Sequence, residues 1–179
     1  MLWPFNRFRK QPSAPSRRTI EAIYGMIVAQ AREPLFYRAL GVPDTVDGRF
    51  DMVLLHLWMV LRQLKPRPDD ALRQALFDHF CSDMDANLRE MGVGDLSVPK
   101  RMRAFGEAFY GRSAAYDLSF AGGPEPLAQA LDKNIYNGRD IESARRLAAY
   151  TADAIATLAD GDEATSSAGL RFPDLAQRT

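Results

Sequence analysis

Residues 52–64 read MVLLHLWMVLRQL, in which only His56, Arg62 and Gln63 are not apolar, so a helix here would be oily on nearly every face. Water can solvate no side of such a helix, and other helices must cover it. Residues 69–91 place Leu72, Leu76, Phe80, Met84, Leu88 and Met91 at helical spacing, a stripe suited to lie against the first segment. Between the two, Pro66 and Pro68 flank Arg67 and forbid a continuous helix. The pair is therefore expected as an antiparallel hairpin that the remaining chain wraps.

That remaining chain supplies helices and no strands. Thr19 is a suitable N-cap for a helix over 20–32, with Ile23, Ile27 and Val28 inward. A short amphipathic turn over 33–40 stops at Gly41 and Pro43, and Asp47 and Gly48 are turn residues leading to the central helix. After a linker containing Gly92 and Gly94, a helix starting at Pro99 buries Met102, Phe105, Phe109 and Tyr116. Gly106 and Gly111 inside it suggest close helix contact or a break near Tyr110, because each costs about 1 kcal/mol against alanine. Beyond AGGPEP come helices over 126–136 and 141–158. No segment alternates at period two. The fold class expected is all-α, one compact bundle of six to seven helices over 19–159, and 179 residues suffice for one such core.

Two flanks stand apart. Residues 160–179 are small and polar and are expected as a disordered tail. Residues 1–18 carry Arg7, Arg9, Lys10, Arg17 and Arg18 with no acid, so a formally neutral chain divides into a +5 terminus and a −5 body. Trp3, Phe5 and Phe8 are interleaved with Arg7, Arg9 and Lys10, a composition that could tether the chain to a bilayer. Aromatics settle at the headgroup boundary, and each cation gains about 1 kcal/mol at an anionic leaflet. The same charges suit RNA phosphates, and a solvated disordered terminus is the plainer reading. No apolar run reaches the ~18 residues of a membrane span. Cys81 is the sole cysteine, which excludes an intrachain disulfide.

Catalytic patterns are absent. His56, Asp78, His79, Asp83 and Asp85 are the one set that could pass for a metal or acid–base site, since His79 and Asp83 share a helix face. Neither His-Glu-x-x-His nor paired Glu-x-x-His motifs occur, and no Gly-x-Ser-x-Gly, Walker or dinucleotide loop is present. An ion pair of His79 with Asp83, another of Asp85 with Arg89, and a hydrogen-bonded core His56 account for these residues without chemistry. Residues 100–112, KRMRAFGEAFYGR, set cations beside aromatics. Their ligand, if any, is anionic: a lipid headgroup, ribosomal RNA or an acidic protein surface.

Four stretches, LFYRALGVPDTVDGRFDMVLLHLWMVLRQL, ALFDHFCSDMDANLREMGVGDLSVPKRMRAFGEAFYGR, AAYD and LAQALDKNIY, together resemble the ubiquinol-cytochrome c chaperone family. They lie within residues 35–136. The resemblance implies a helical chaperone, not an enzyme, with no cofactor and no DNA partner, that receives newly made cytochrome b during assembly of respiratory complex III. It also implies a small partner protein, work near the ribosomal exit, and a peripheral place at the inner face of the membrane, cytoplasmic in a bacterium or on the matrix side of a mitochondrion. Candidate client or partner residues are Trp58, Met59, Phe77, Met84, Lys100, Arg101, Arg103, Phe105, Phe109, Tyr110 and Arg112; the tether candidates are Trp3, Phe5, Arg7, Phe8, Arg9 and Lys10. Adaptable methionines and aromatics suit a surface that holds an apolar helix, although the same residues at helical spacing also build cores. Two other readings stand beside this one: a metal- or cofactor-dependent helical enzyme using His56, His79 and Asp83, and a peripheral membrane or ribosome-binding module.

Overall fold

Helix α3 (Val46–Leu64) is the buried axis. Met52, Leu54, Leu55, Leu57, Trp58, Met59, Val60, Leu61 and Leu64 are all out of water, each contributing on the order of 1.5–3 kcal/mol of transfer free energy. The computed structural model describes residues 15–64, 71–159 and 170–175. Around α3 stand α1 (Arg17–Ala31), α2 (Pro34–Arg38), α4 (Ala71–Glu90), α5 (Val98–Ala121), α6 (Pro124–Ile135) and α7 (Ile141–Ala159). Six helices are long and α2 is a five-residue turn; the described residues contain no strand. Helix α3 touches α1, α4, α5, α6 and α7. The all-α bundle expected from the pattern is the fold observed.

Helices α6 and α7 form the most extensive pair. Ala144, Ala148 and Ala154 on α7 are buried, and side chains this small let neighbouring helices approach closely. Helix α4 is different. Only Leu76, Phe80 and Leu88 of its 20 residues are buried, and it leans on α1 and α5 more than on α3. The second member of the expected central pair is thus a flank, and its stripe is half covered: Leu72 and Met84 are partly buried and Met91 is 69 % exposed.

Local signals explain several departures from expectation. Ser16, not Thr19, caps α1, accepting the Thr19 N–H at 3.1 Å, so the helix takes in Arg17 and Arg18 from the expected tail. Helix α3 starts at Val46 because Thr45 caps it, its hydroxyl accepting the Gly48 N–H at 3.1 Å. A Cβ at Gly48 would stand 2.0 Å from the Pro43 carbonyl oxygen, so only glycine admits that crossing. Helix α5 runs unbroken past Tyr110, and a Cβ on Gly106 or Gly111 would meet nothing within 4 Å, so neither expected role for these glycines holds. Helix α6 begins at Pro124, set up by Gly123 at φ +101°.

The expected C-terminal tail also needs correction. Within it, residues 170–175 lie on the fold: Pro173 and Leu175 are buried, and the Phe172 ring meets His56 edge-on at 5.0 Å. Residues 160–169 and 176–179 fall outside the described residues, as do residues 1–14 and 65–70.

Candidate functional site

Helices α4 and α5 meet through a cluster of aromatic side chains. Phe77 of α4 lies 5.1 Å from Phe109 and 5.5 Å from Tyr110, ring to ring, and Phe109 and Tyr110 are 5.6 Å apart. Phe80 continues the run inward at 6.1 Å from Phe77, and Phe50 joins it to Phe105 at 4.8 Å. Each aromatic pair adds on the order of 1 kcal/mol beyond area burial, which holds the floor rigid. A groove of about 240 Å³ opens over this floor, lined by Leu61, Arg73, Gln74, Phe77, Phe109 and Tyr110. Tyr110 is 62 % exposed at its rim and Phe109 is buried beneath. Such a groove can take an apolar helix face laid across rigid rings.

Of the residues expected to form a client surface, Phe77, Phe109 and Tyr110 come together here, and Met84 lies half-buried further along α4. Trp58 and Met59 do not belong: they are 2 % and 0 % exposed. Trp58 is locked from α5, its Nε1–H donating to Asp117 at 3.1 Å while Arg62 pairs with the same carboxylate at 2.6 Å. At these two positions neighbouring helices cover α3 completely, which sequence spacing could not reveal.

Phe105 and Arg112 face a second cleft of about 440 Å³ between the start of α3, α5 and the end of α6. Arg112 pairs there with Asp51 at 2.7 Å. Burial pushes the Asp51 carboxyl up to about 6; Arg112 opposes that shift and Asp47 adds to it. Arg112 is therefore committed to an internal partner. Lys100, Arg101 and Arg103 are exposed on the first turns of α5, and Arg103 pairs with Glu107. The tether candidates Trp3, Phe5, Arg7, Phe8, Arg9 and Lys10 lie outside the described residues.

The histidines are engaged elsewhere. His56 is fully buried, Nδ1 2.7 Å from the Met52 carbonyl and Nε2 2.9 Å from the Tyr150 hydroxyl. Burial lowers its pKa to about 4, so the ring is neutral. Asp83 accepts the Tyr24 hydroxyl at 2.7 Å rather than serving His79, whose ring meets Tyr24 edge-on at 5.0 Å. The expected pair of Arg89 with Asp85 is present at 2.6 Å. Burial raises the Cys81 thiol above its usual value, away from thiolate. Among the described residues, no group of three or more His, Cys, Asp and Glu is placed to hold a metal ion.

The family described as ubiquinol-cytochrome C chaperone matches residues 38–170. The chain belongs to that family. The match takes in all of α3 to α7, and with them both clefts. Similarity extends to "Ubiquinol-cytochrome-c reductase complex assembly factor 1" of Xenopus laevis, 26 % identical over 63 % of this chain and 56 % of the frog protein. The human protein of that name is 29 % identical over 63 % of this chain and 38 % of its own length. "Protein CBP3, mitochondrial" of Saccharomyces cerevisiae is 30 % identical over 58 % of this chain and 32 % of its own. The chain thus spans about half, or less, of the curated relatives it matches. The crystal structure of the Cbp3 homolog from Brucella abortus superposes with a TM-score of 0.80 at 36 % identity, over 89 % of this chain and 91 % of that one. The aromatic groove and the Asp51–Arg112 cleft both fall within the residues that the family matches, and sequence reasoning had not singled out Asp51. An acid at the start of an apolar helix was the available signal for Asp51.

Proposed function

We propose that this chain is a non-enzymatic assembly factor for ubiquinol-cytochrome c reductase, respiratory complex III. It holds newly made cytochrome b on the groove between α4 and α5. The observation that carries this reading is the aromatic groove of Phe77, Phe109 and Tyr110, open to water at Tyr110, between two helices that each bury only three residues, within a chain of the chaperone family. The names of the frog and human relatives support the assembly role. The absence of a membrane-crossing helix among the described residues supports a peripheral place beside the membrane, where a transmembrane client emerges. The small partner protein, the ribosome and a tether through Trp3 to Lys10 belong to the same proposal.

Deleting the gene tests the assembly role, with loss of spectroscopically detected cytochrome b and of quinol–cytochrome c oxidoreduction as the expected result. Normal levels of both would overturn it. Replacing Tyr110 by glutamate tests the groove: losing its ring pairs with Phe77 and Phe109 costs on the order of 1 kcal/mol each, which the fold survives, and capture of cytochrome b should fall. Full capture would move the client elsewhere.

A further inference from the structure

The turn joining α4 to α5 is rigid and greasy at its tip. Leu96 is 98 % exposed and Met91 69 %. Neither dangles: Gly92 donates to Arg89, Val93 to Leu88, and Ser97 to Gly94, while Leu88 and Val98 are buried on either side. The Arg89 guanidinium clasps both Asp85 and Asp95 across the turn. A single exposed leucine carries little meaning in itself. Here it coincides with cations in an unfavourable place. Lys100 and Arg101 sit in the first turn of α5, which holds no acid, although the helix dipole disfavours positive charge at that end. Arg89 is matched by Asp85 and Asp95 and Arg103 by Glu107, so Lys100 and Arg101 are the two cations of this turn outside those ion pairs.

We propose that this turn is a contact site for an anionic bilayer surface, with Leu96 and Met91 entering the headgroup boundary while Lys100 and Arg101 meet lipid phosphates. RNA would satisfy the cations but leave both apolar tips in water, whereas a lipid interface accommodates the two together. Lys100 and Arg101 also orient the molecule, drawing the first turn of α5 down while the acidic body is repelled. The contact is independent of the groove at Tyr110 and needs no client.

Each cation brought to an anionic leaflet raises partitioning about fivefold, so Lys100 and Arg101 together contribute about 25-fold. Insertion of Leu96 adds about tenfold. The test is co-sedimentation of the full chain with phosphatidylcholine vesicles, with and without phosphatidylserine. The K100Q/R101Q double variant should lose about 25-fold in partitioning, L96N about tenfold, and Tyr110→Glu nothing. An environment-sensitive dye on Leu96→Cys in a Cys81→Ser background should shift blue on anionic vesicles and stay unshifted on neutral vesicles or single-stranded RNA. Undiminished partitioning of both tip variants, which would assign binding to the basic terminus, overturns the proposal. So does a dye that remains unshifted on vesicles that bind the chain.

Discussion

His56 should make stability depend on acid in a way that one substitution isolates. Its Nδ1 faces the Met52 carbonyl, which can only accept, so the proton is assigned to Nδ1. Nε2 then accepts from Tyr150, whose oxygen accepts from Gln30 at 3.2 Å, and the same Gln30 amide reaches the Pro173 carbonyl at 3.4 Å. The relay has no place for a second proton on the ring. Its pKa falls from an ordinary 6.5 to about 4, burial being the cause. The unfolded chain therefore binds more protons than the folded one across that window. Stability is full above pH 6.5 and is lost as pH drops toward 4, by about 3 kcal/mol at 1.36 kcal/mol per unit. His56→Asn removes the titration. At pH 7 it should cost on the order of 3 kcal/mol, through lost packing on Phe36, Tyr150 and Phe172 and a broken relay. That cost should shrink toward zero by pH 4, because only the parent is penalised there. Urea unfolding of both proteins from pH 7.5 to 4 measures the gap, and other titrating groups cancel between them. A gap constant to within about 0.5 kcal/mol would refute the buried neutral ring.

Asp51→Asn should show the opposite slope. Its folded pKa of about 6 exceeds the ordinary 3.8, so the parent loses stability as pH rises from 4 through 6. The cost of the substitution, read by urea midpoints, should accordingly be smaller at pH 8 than at pH 4. Gly48→Ala should destabilise by about 3 kcal/mol or more, the Cβ meeting backbone, while Gly106→Ala should stabilise by up to about 1 kcal/mol; thermal melts at about 2–4 °C per kcal/mol resolve both. Tyr116→Phe should be neutral or stabilise by up to about 1 kcal/mol, since its hydroxyl is buried without a partner among the described residues. A larger loss would reveal a bridging water.

Much of the architecture was legible because hydrophobic period and breakers are local properties. The apolar run at 52–64 announced a buried axis, and prolines and glycines set most helix ends within a few residues. Caps were less legible, since Ser16, Thr45 and Thr19 are chemically interchangeable until the backbone shows which hydroxyl meets an N–H. The groove was half legible: Phe77, Phe109 and Tyr110 were named together as a candidate client surface and their rings do meet, but the buried Trp58 and Met59 were grouped with them. Residues 170–175 were missed because six residues have no period from which to read a docking face.

From its residues alone this chain was bound to be an all-α bundle about one oily helix, because period and composition state which faces must leave water. The choice of which apolar face stays open, and the seating of Phe172 and Leu175 on the fold, came only with the tertiary arrangement. Both depend on which helices sit next to each other, and adjacency between residues far apart in the chain is a property of packing that no local pattern contains.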